Sequence, residues 1–309
     1  MFWYNVGMNI QNKALRLIWK QIGESDEQYY RSATMPEGVE LSLDHAYLQD
    51  DEPMHRLDIA RAEKNIGKKP VVIQIHGGGW VYGHKDSYYR YHAMECAKYG
   101  YTVLTINYRL AFDHPFPAMI EDIFAVLHWL EANAEAQAFD VDNVFVIGDS
   151  AGAHLSALTA LIHADKTLQK HYGVEASNVK IKALGLSCGV YDFERLLNDP
   201  YDMPMRKTLV ETIFHQKNYL EHPLYSYASV SNLLNSSFPP AYVVSSEAEP
   251  LYPETKHFVR ELESLGLVNK VRIFEKSHEL PHVFNLKSTY PESRIVLDEM
   301  FAFFESFRT

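Results

Sequence analysis

Short apolar runs alternate with stretches of helical periodicity from about residue 70 to the end of the chain, and this alternation limits the folds open to it. Each run is apolar on both faces, which is typical of a strand buried in a parallel sheet. The six runs lie at 70–75, 101–108, 143–148, 181–186, 241–245 and 271–274. They predict an α/β fold with a mostly parallel central sheet flanked by helices.

Three of the stretches between or after these strands repeat apolar residues at helical spacing, and each predicts an amphipathic helix. Their apolar positions are Met119, Ile123, Val126, Leu127 and Leu130; Phe258, Val259, Leu262 and Leu265; and Ile295, Val296, Met300 and Phe303. Upstream, residues 39–48 and 55–60 are expected to pair as antiparallel strands that lead into the sheet.

Two segments do not follow the alternation. Residues 1–35 contain an amphipathic pattern, and residues 190–237 contain two helix-like pieces rich in Tyr, Phe and Met. A single core stops growing at roughly 250–300 residues, so a chain of 309 residues is long enough for one large domain with an addition. We therefore expect one main domain over residues 36–309, with a helical cap formed by residues 1–35 and the insert at 190–237.

The acidic balance limits the partners of the chain. Lys and Arg number 29 and Asp and Glu number 40, giving a formal charge of −11, which makes nucleic acid and anionic membranes unlikely partners. No run approaches the ~18 apolar residues of a membrane span, and the first residues do not resemble a secretory signal. Cys96 and Cys188 lie in apolar stretches, which favours buried thiols in a reducing compartment. We expect a cytoplasmic protein, and a homodimer is compatible with this composition.

The clearest catalytic motif is Gly-Asp-Ser-Ala-Gly at 148–152, directly after a predicted strand and at the start of a predicted helix. A tight strand-to-helix turn holds its serine, Ser150, in a strained conformation, and the flanking glycines leave the approach to it open. The free N–H groups of the helix N-terminus favour a developing anion. Ser150 is therefore the candidate nucleophile.

A second motif, His-Gly-Gly-Gly-Trp at 76–80, ends the first buried strand. Consecutive glycines allow backbone N–H groups to approach a substrate carbonyl oxygen. We expect Gly78 and Gly79 to form an oxyanion hole together with the N–H of Ala151. The alternative is a flexible glycine-rich turn without a catalytic role.

A serine nucleophile needs an acid and a base, and in this type of fold they follow in the order Ser, acid, His. Glu247 and Glu249 follow the strand at 241–245, and His278 and His282 follow the strand that ends at 274. Both segments start at the carboxyl ends of strands, where side chains can converge on Ser150. The residues alone leave the choice within each pair open.

Taken together, these motifs resemble the hormone-sensitive-lipase-like family of α/β-hydrolase esterases, from about residue 55 to the C-terminus. The resemblance rests on the motifs at 76–80 and 148–152, and on Asn-Tyr-Arg-Leu-Ala at 107–111 with Phe-Pro-Ala at 116–118. It implies an α/β-hydrolase fold and hydrolysis of carboxylic esters with short or medium acyl chains, without a cofactor.

The same resemblance implies roles for three residues. Ser150 is the nucleophile, and His282 is the base because Leu-Pro-His-Val-Phe at 280–284 is similar to the family's Met-Pro-His-Gly-Phe. Glu249 matches the acid of the family's Asp-Pro-Leu, with a side chain longer by one methylene. Val283 stands where the family has glycine, which we expect to narrow the pocket.

Other functions remain as alternatives. An arylformamidase or amidase would use the same triad, and a non-catalytic small-molecule receptor on this fold typically lacks one of its members. No metal site is expected, because His76, His84, Asp149 and His154 have no recurrent ligand spacing. The predicted partner is a small-molecule ester.

Aromatic residues near the glycine loop and in the insert are candidates for the substrate pocket. The main candidates are Trp80, Tyr82, Tyr191 and Phe214, with Phe193, Tyr201 and Tyr219 as further members. The alternative is that the aromatic residues of the insert form a small core of their own.

Overall fold

A mostly parallel sheet of eight strands forms the centre of the molecule in a computed structural model of the chain. The structure describes residues 2–63, 67–199 and 205–309, and only the backbone of residues 2–12. The strands are β1 (Val39–Ala46), β2 (Arg56–Ala62), β3 (Lys69–Ile75), β4 (Thr102–Ile106), β5 (Phe139–Asp149), β6 (Ile181–Ser187), β7 (Ala241–Ser246) and β8 (Asn269–Phe274). Their order in the sheet is β1-β2-β4-β3-β5-β6-β7-β8.

The described helices pack on both faces of this sheet and at its carboxyl edge. They are α1 (Phe2–Ser32), α2 (Tyr88–Ala97), α3 (Ala118–Ala132), α4 (Ala151–Ala164), α5 (Lys166–Tyr172), α6 (Phe193–Asn198), α7 (Arg206–Ile213), α8 (Tyr225–Ala228), α9 (Tyr252–Ser264) and α10 (Pro291–Glu305). Within the described part of the chain, no helix combines the length and the apolar character that a membrane span requires.

Strand direction follows the sequence pattern. The β1–β2 and β2–β4 pairs are antiparallel, and all later pairs are parallel, so the sheet has the mixed edge that the early hairpin predicts. Successive side chains of a strand alternate between the faces: Val71 and Ile73 belong to the core cluster that contains α3 and α4 residues, and Val72 belongs to the cluster that contains α2 and α10 residues. This confirms the predicted fold class.

The insert between β6 and β7 has an aromatic interior that is continuous with the main core. Phe193 and Phe214 are buried with ring centroids 5.8 Å apart, and Phe214 also lies 5.5 Å from Phe116 of the main domain. Helix α1 takes a different position, because it packs against α2 and α7 above the carboxyl edge of the sheet. The insert reaches the same edge through α7, because a Cβ on Gly79 would lie 3.5 Å from Cδ2 of Leu209.

Candidate active site

Ser150 lies in a sharp turn between β5 and α4. Its φ of 51° and ψ of −118° are unfavourable for a residue with a side chain, as expected where the surrounding structure fixes a nucleophile. The turn is close-packed: a Cβ atom on Gly152 would lie 2.1 Å from the carbonyl oxygen of Ile75. The glycine of the motif is therefore needed to bring α4 against β3.

Glu249 and His282 come from two different loops and meet beside this turn. The Nδ1–H of His282 donates a hydrogen bond to Oε2 of Glu249 at 2.9 Å, and the Glu249 side chain is fully buried. The carboxylate also accepts from the hydroxyl of Ser245 and from the N–H of Leu251, each at 2.8 Å. Because Nδ1 donates to the carboxylate, Nε2 of His282 is the nitrogen left to accept a proton.

The structure places the competing acid and base elsewhere. Oε2 of Glu247 accepts the backbone N–H of Lys276 at 3.1 Å, and Nδ1 of His278 pairs with Oε1 of Glu292 at 2.8 Å. The structure thus brings together Glu249 and His282, the pair that the family resemblance implies.

A cavity of about 330 Å³ connects the nucleophile with the base. Ser150 and His282 both line it, although no hydrogen bond between them is formed among the described residues. Catalytic hydrogen bonds commonly tighten only when substrate is bound. The other lining residues are Trp19, Ile22, Ser25, Asp26, Gly78, Tyr82, Tyr88, Tyr89, Asp149, Val283 and Lys287.

The glycine loop has the conformation that an oxyanion hole requires. Gly78 has a φ of 103°, and a Cβ there would lie 2.1 Å from the carbonyl oxygen of Tyr82. Among the described residues, the N–H groups of Gly78, Gly79 and Ala151 donate to no protein acceptor. These three donors are therefore free to bind an oxyanion.

Trp80 is held away from the cavity. Its Nε1–H donates to Nδ1 of His154 at 3.1 Å, and Nε2–H of His154 donates to the carbonyl of Ala228 in the insert at 2.7 Å. Burial lowers the pKa of His154 to about 4, so its imidazole is neutral and can accept the indole proton. The glycine loop is thereby tied to the insert.

The predicted pocket residues divide into two groups. Tyr82 lines the cavity, whereas Trp80, Tyr191 and Phe214 are buried in the hydrophobic core and do not reach it. Tyr191 stacks on Phe258 with ring centroids 3.7 Å apart. Phe193 is also in the core, and Tyr201 lies outside the described residues. The aromatic residues of the insert thus follow the alternative of a packed interior.

Sequence reasoning did not single out Asp149 as a functional side chain. Its carboxyl group is buried and accepts hydrogen bonds from the hydroxyl of Tyr89 at 2.9 Å and from the N–H of Gly77 at 3.1 Å. Burial raises the pKa of this carboxyl to about 7. Asp149 therefore links the nucleophile turn to the glycine loop, and its position inside the serine motif was the available signal.

The polar lining of the cavity was missed as well. Trp19 and Asp26 come from α1, and Lys287 follows the histidine loop. No sequence pattern distinguished Lys287 from other surface lysines. For α1, the amphipathic periodicity indicated that one helix face packs against the rest of the protein, but it did not indicate against which residues.

Two groups of side chains among the described residues have the geometry to hold a metal ion. In the first, Cys188, Glu249 and His282, the acid and the imidazole are already hydrogen bonded to each other. In the second, formed by Asp44, Asp58 and Asp86, the ammonium of Lys85 lies between the carboxylates. Protein groups thus already satisfy the potential ligands of both.

The comparison with protein families decides the relationship. The profile of the BD-FAE family matches residues 57–260, which contain the glycine loop, the serine turn and Glu249. The chain belongs to the BD-FAE family. This domain falls within the hormone-sensitive-lipase-like group that the motifs resemble.

Two proteins of Mycobacterium tuberculosis (strain ATCC 25618 / H37Rv) are similar to this chain in sequence. Esterase LipQ is 29% identical over 91% of this chain and 68% of its own length. The probable carboxylic ester hydrolase LipM is 30% identical over 65% of this chain and 46% of its own length. The chain thus spans about two thirds of LipQ and about half of LipM.

Among solved structures, esterase B from Lactobacillus rhamnosis (HN001) superposes with a TM-score of 0.91. It is 27% identical, and the match covers 98% of this chain and 96% of esterase B. A form of esterase B inhibited by a tributyrin phosphonate superposes with a TM-score of 0.89 at 26% identity, covering 97% and 96% of the two chains. These comparisons confirm the predicted α/β-hydrolase fold, the family resemblance and the class of carboxylic ester hydrolases.

Proposed function

We propose that this BD-FAE protein hydrolyses small carboxylic esters of short to medium acyl chains through an acyl-enzyme on Ser150. The observation that carries this proposal is the 2.9 Å hydrogen bond from His282 to the buried Glu249, beside a cavity that Ser150 and His282 share. A base oriented by a buried carboxylate next to a strained serine is the arrangement that activates a hydroxyl nucleophile.

In the proposed reaction, Nε2 of His282 takes the hydroxyl proton of Ser150 as the serine oxygen attacks the ester carbonyl. Glu249 holds the imidazole tautomer and stabilises the imidazolium that forms. The imidazolium then gives its proton to the leaving alcohol. A water molecule, activated in the same way, attacks the acyl-enzyme and releases the carboxylic acid.

The N–H groups of Gly78, Gly79 and Ala151 are proposed to bind the negative oxygen of both tetrahedral intermediates. Their lack of protein acceptors among the described residues supports this role, as does the position of Gly78 in the cavity wall and of Ala151 directly after Ser150. Each donor that is aimed at the oxyanion is worth roughly 3–4 kcal/mol of transition-state stabilisation.

The size and cover of the cavity support a small ester. A volume of about 330 Å³ is at the lower end for ligand pockets, and α1 covers it through Trp19 and Ile22. We propose that α1 acts as the cap over a catalytic domain of residues 36–309, with the insert at 190–237 supporting it through the contact between α7 and α1.

The experiment is a series of p-nitrophenyl esters from acetate to palmitate, with N-formylkynurenine as an amide substrate. We expect the highest kcat/KM for the short and medium esters, and loss of nearly all turnover in Ser150→Ala. Preferred hydrolysis of palmitate, or a higher kcat/KM for N-formylkynurenine than for the esters, would contradict the proposal.

We also propose a cytoplasmic location for the BD-FAE protein. The location is supported by Cys96 and Cys188, which are buried free thiols and fit a reducing compartment. The homodimer stays a prediction that a molar mass from light scattering tests directly.

A further inference from the structure

A charged pair forms part of the wall of the proposed active-site cavity. Asp26 projects from α1 and Lys287 from the loop that follows His282, and both line the cavity with Ser150. Nζ of Lys287 lies 3.4 Å from Oδ1 of Asp26. The triad chemistry described above uses neither of these charges.

The pair is poorly satisfied by the protein. The contact of 3.4 Å is long for a charged hydrogen bond. Within the described part of the chain, the other oxygen of Asp26 accepts only a 3.5 Å contact, from the hydroxyl of Tyr82. Among the described residues, the ammonium has no second hydrogen-bond acceptor, and the rings of Tyr29 and Tyr88 lie 5.5 and 5.7 Å from it.

Both groups have lost much of their hydration. The Asp26 side chain is 10% exposed and that of Lys287 is 24% exposed, and burial raises the pKa of the Asp26 carboxyl. Partly buried charges with long contacts are costly unless another polar group completes their hydrogen bonds. In a ligand cavity, that group can come from the substrate.

The position of Lys287 shows which part of an ester would lie there. His282 must give its proton to the leaving alcohol, so the alcohol lies on the His282 side of the cavity. Lys287 lies on the same segment, five positions further along the chain, and the hydroxyl of Ser293 fixes its carbonyl at 2.7 Å. Because Lys287 and His282 come from one segment and line one cavity, the alcohol portion of the ester is the part assigned to this pair.

We propose that Asp26 and Lys287 form a subsite for the hydroxyl groups of a polyol ester, such as a short-chain monoester of glycerol or of a sugar. One hydroxyl donates to the free lone pairs of Asp26, and a neighbouring hydroxyl accepts from Lys287. This inference rests on the proposed ester hydrolysis and names the alcohol that the same site selects.

The test compares two esters that differ only in hydroxyl groups. 1-Monobutyrin and propyl butyrate share one carbon skeleton, and the measured quantity is the ratio of their kcat/KM values. We expect a ratio of about ten or more for the unmodified protein, because a subsite that hydrogen-bonds a hydroxyl disfavours the analogue that lacks it. The kcat/KM for 6-O-butyryl glucose, divided by that for propyl butyrate in the same way, shows whether glycerol or a sugar is the preferred alcohol.

Asp26→Asn and Lys287→Met should each lower this ratio at least fivefold. The intrinsic reactivity of the two alcohols is the same for every variant, so the change in the ratio isolates the contribution of the pair. Arg31→Met is the matched control, since Arg31 is an exposed cation on the same helix and outside the cavity. It should leave the ratio unchanged.

The two proposals fail in different ways. If 1-monobutyrin, propyl butyrate and p-nitrophenyl butyrate all remain unhydrolysed, the proposed ester hydrolysis is wrong. If the esters are hydrolysed but the ratio is near one for both polyols, or is unchanged in both Asp26→Asn and Lys287→Met, the hydroxyl subsite is wrong. Asp26→Asn keeps the shape of the side chain, so it guards against a folding defect in Lys287→Met.

Discussion

At the scale of single residues, the longer acid of the triad is held by more than the histidine. Glu249 has one methylene more than the aspartate of the family motif, and with it an additional rotatable bond. The hydroxyl of Ser245 and the N–H of Leu251 bind the carboxylate at 2.8 Å each and fix it in reach of His282. The departure from the family motif is therefore compensated locally.

Glu249→Gln should reduce kcat for p-nitrophenyl butyrate at least a hundredfold. The amide no longer stabilises the imidazolium and favours the wrong tautomer of His282. Glu247→Gln is the matched control two positions away and should stay within about twofold of the unmodified protein. A larger loss in Glu247→Gln than in Glu249→Gln would contradict the assignment of the acid.

Asp149 gives the BD-FAE protein a specific pH dependence of stability. Its folded-state pKa of about 7 lies above the usual carboxyl value of 3.8, so the folded state favours the protonated form. The contribution of the protonated Asp149 carboxyl to the free energy of unfolding is fully present below pH 4 and is lost as the pH rises through 7.

Asp149→Asn imitates the protonated acid and removes this dependence. Unfolding in urea at several pH values should show the stability of the unmodified protein falling relative to the variant between pH 4 and 7. A difference of about 3 pKa units corresponds to about 4 kcal/mol over this range. If the free energy of unfolding changes with pH in the same way for both proteins, burial does not raise the pKa of the Asp149 carboxyl.

At the scale of elements, the sequence predicted the sheet well because its strands are apolar on both faces. The start of β5 was missed: the strand begins at Phe139, but Asp140 and Asp142 interrupt the apolar pattern before the predicted start at residue 143. The glycine loop and the serine turn were predictable because neighbouring residues set their geometry.

The cavity wall was not predictable in the same way. It forms where α1 packs against loops that are distant along the chain, and a pattern of hydrophobicity does not specify which partner a helix meets. Asp26 is typical of a solvated helix face in sequence but is buried in the structure. Tyr191 and Phe214 were predicted to line the substrate pocket, but both pack into the hydrophobic core.

Helix α1 should determine the chain-length preference through Trp19. This side chain stacks on Tyr82 with ring centroids 5.6 Å apart and lies directly over Gly79. Trp19→Ala enlarges the cavity, so the ratio of kcat/KM for p-nitrophenyl octanoate over acetate should rise about fivefold or more. Leu17→Ala, at an exposed position of the same helix, should leave it unchanged. An unchanged ratio in Trp19→Ala would contradict the role of α1 as the cap.

At the scale of the whole molecule, one buried cation joins the antiparallel edge of the sheet to the catalytic loop. Nζ of Lys85 contacts carboxylate oxygens of Asp44, Asp58 and Asp86 at 2.6, 2.8 and 2.7 Å. Its backbone N–H also donates to the side chain of Asn107 at 2.7 Å. Lys85 thus holds the segment that follows the glycine loop against β1 and β2.

Lys85→Met should lower the free energy of unfolding by about 1.5–3 kcal/mol, because the buried carboxylate of Asp58 loses the ammonium although it keeps the guanidinium of Arg90. Lys98→Met is the control, since Lys98 forms a partly exposed pair with Glu95 and should cost less than about 1 kcal/mol. Urea unfolding of both variants measures the difference, and equal losses would show that the Lys85 cluster does not stabilise the fold.

Covalent labelling tests the central claim, nucleophilic catalysis by Ser150, most directly. The protein is treated with a p-nitrophenyl alkylphosphonate, and its intact mass and peptide map are recorded, with Ser150→Ala as the control. The account predicts one phosphonyl group per chain, located on Ser150, together with loss of esterase activity and no labelling of the control. An unlabelled protein, or an adduct on another residue, would contradict it.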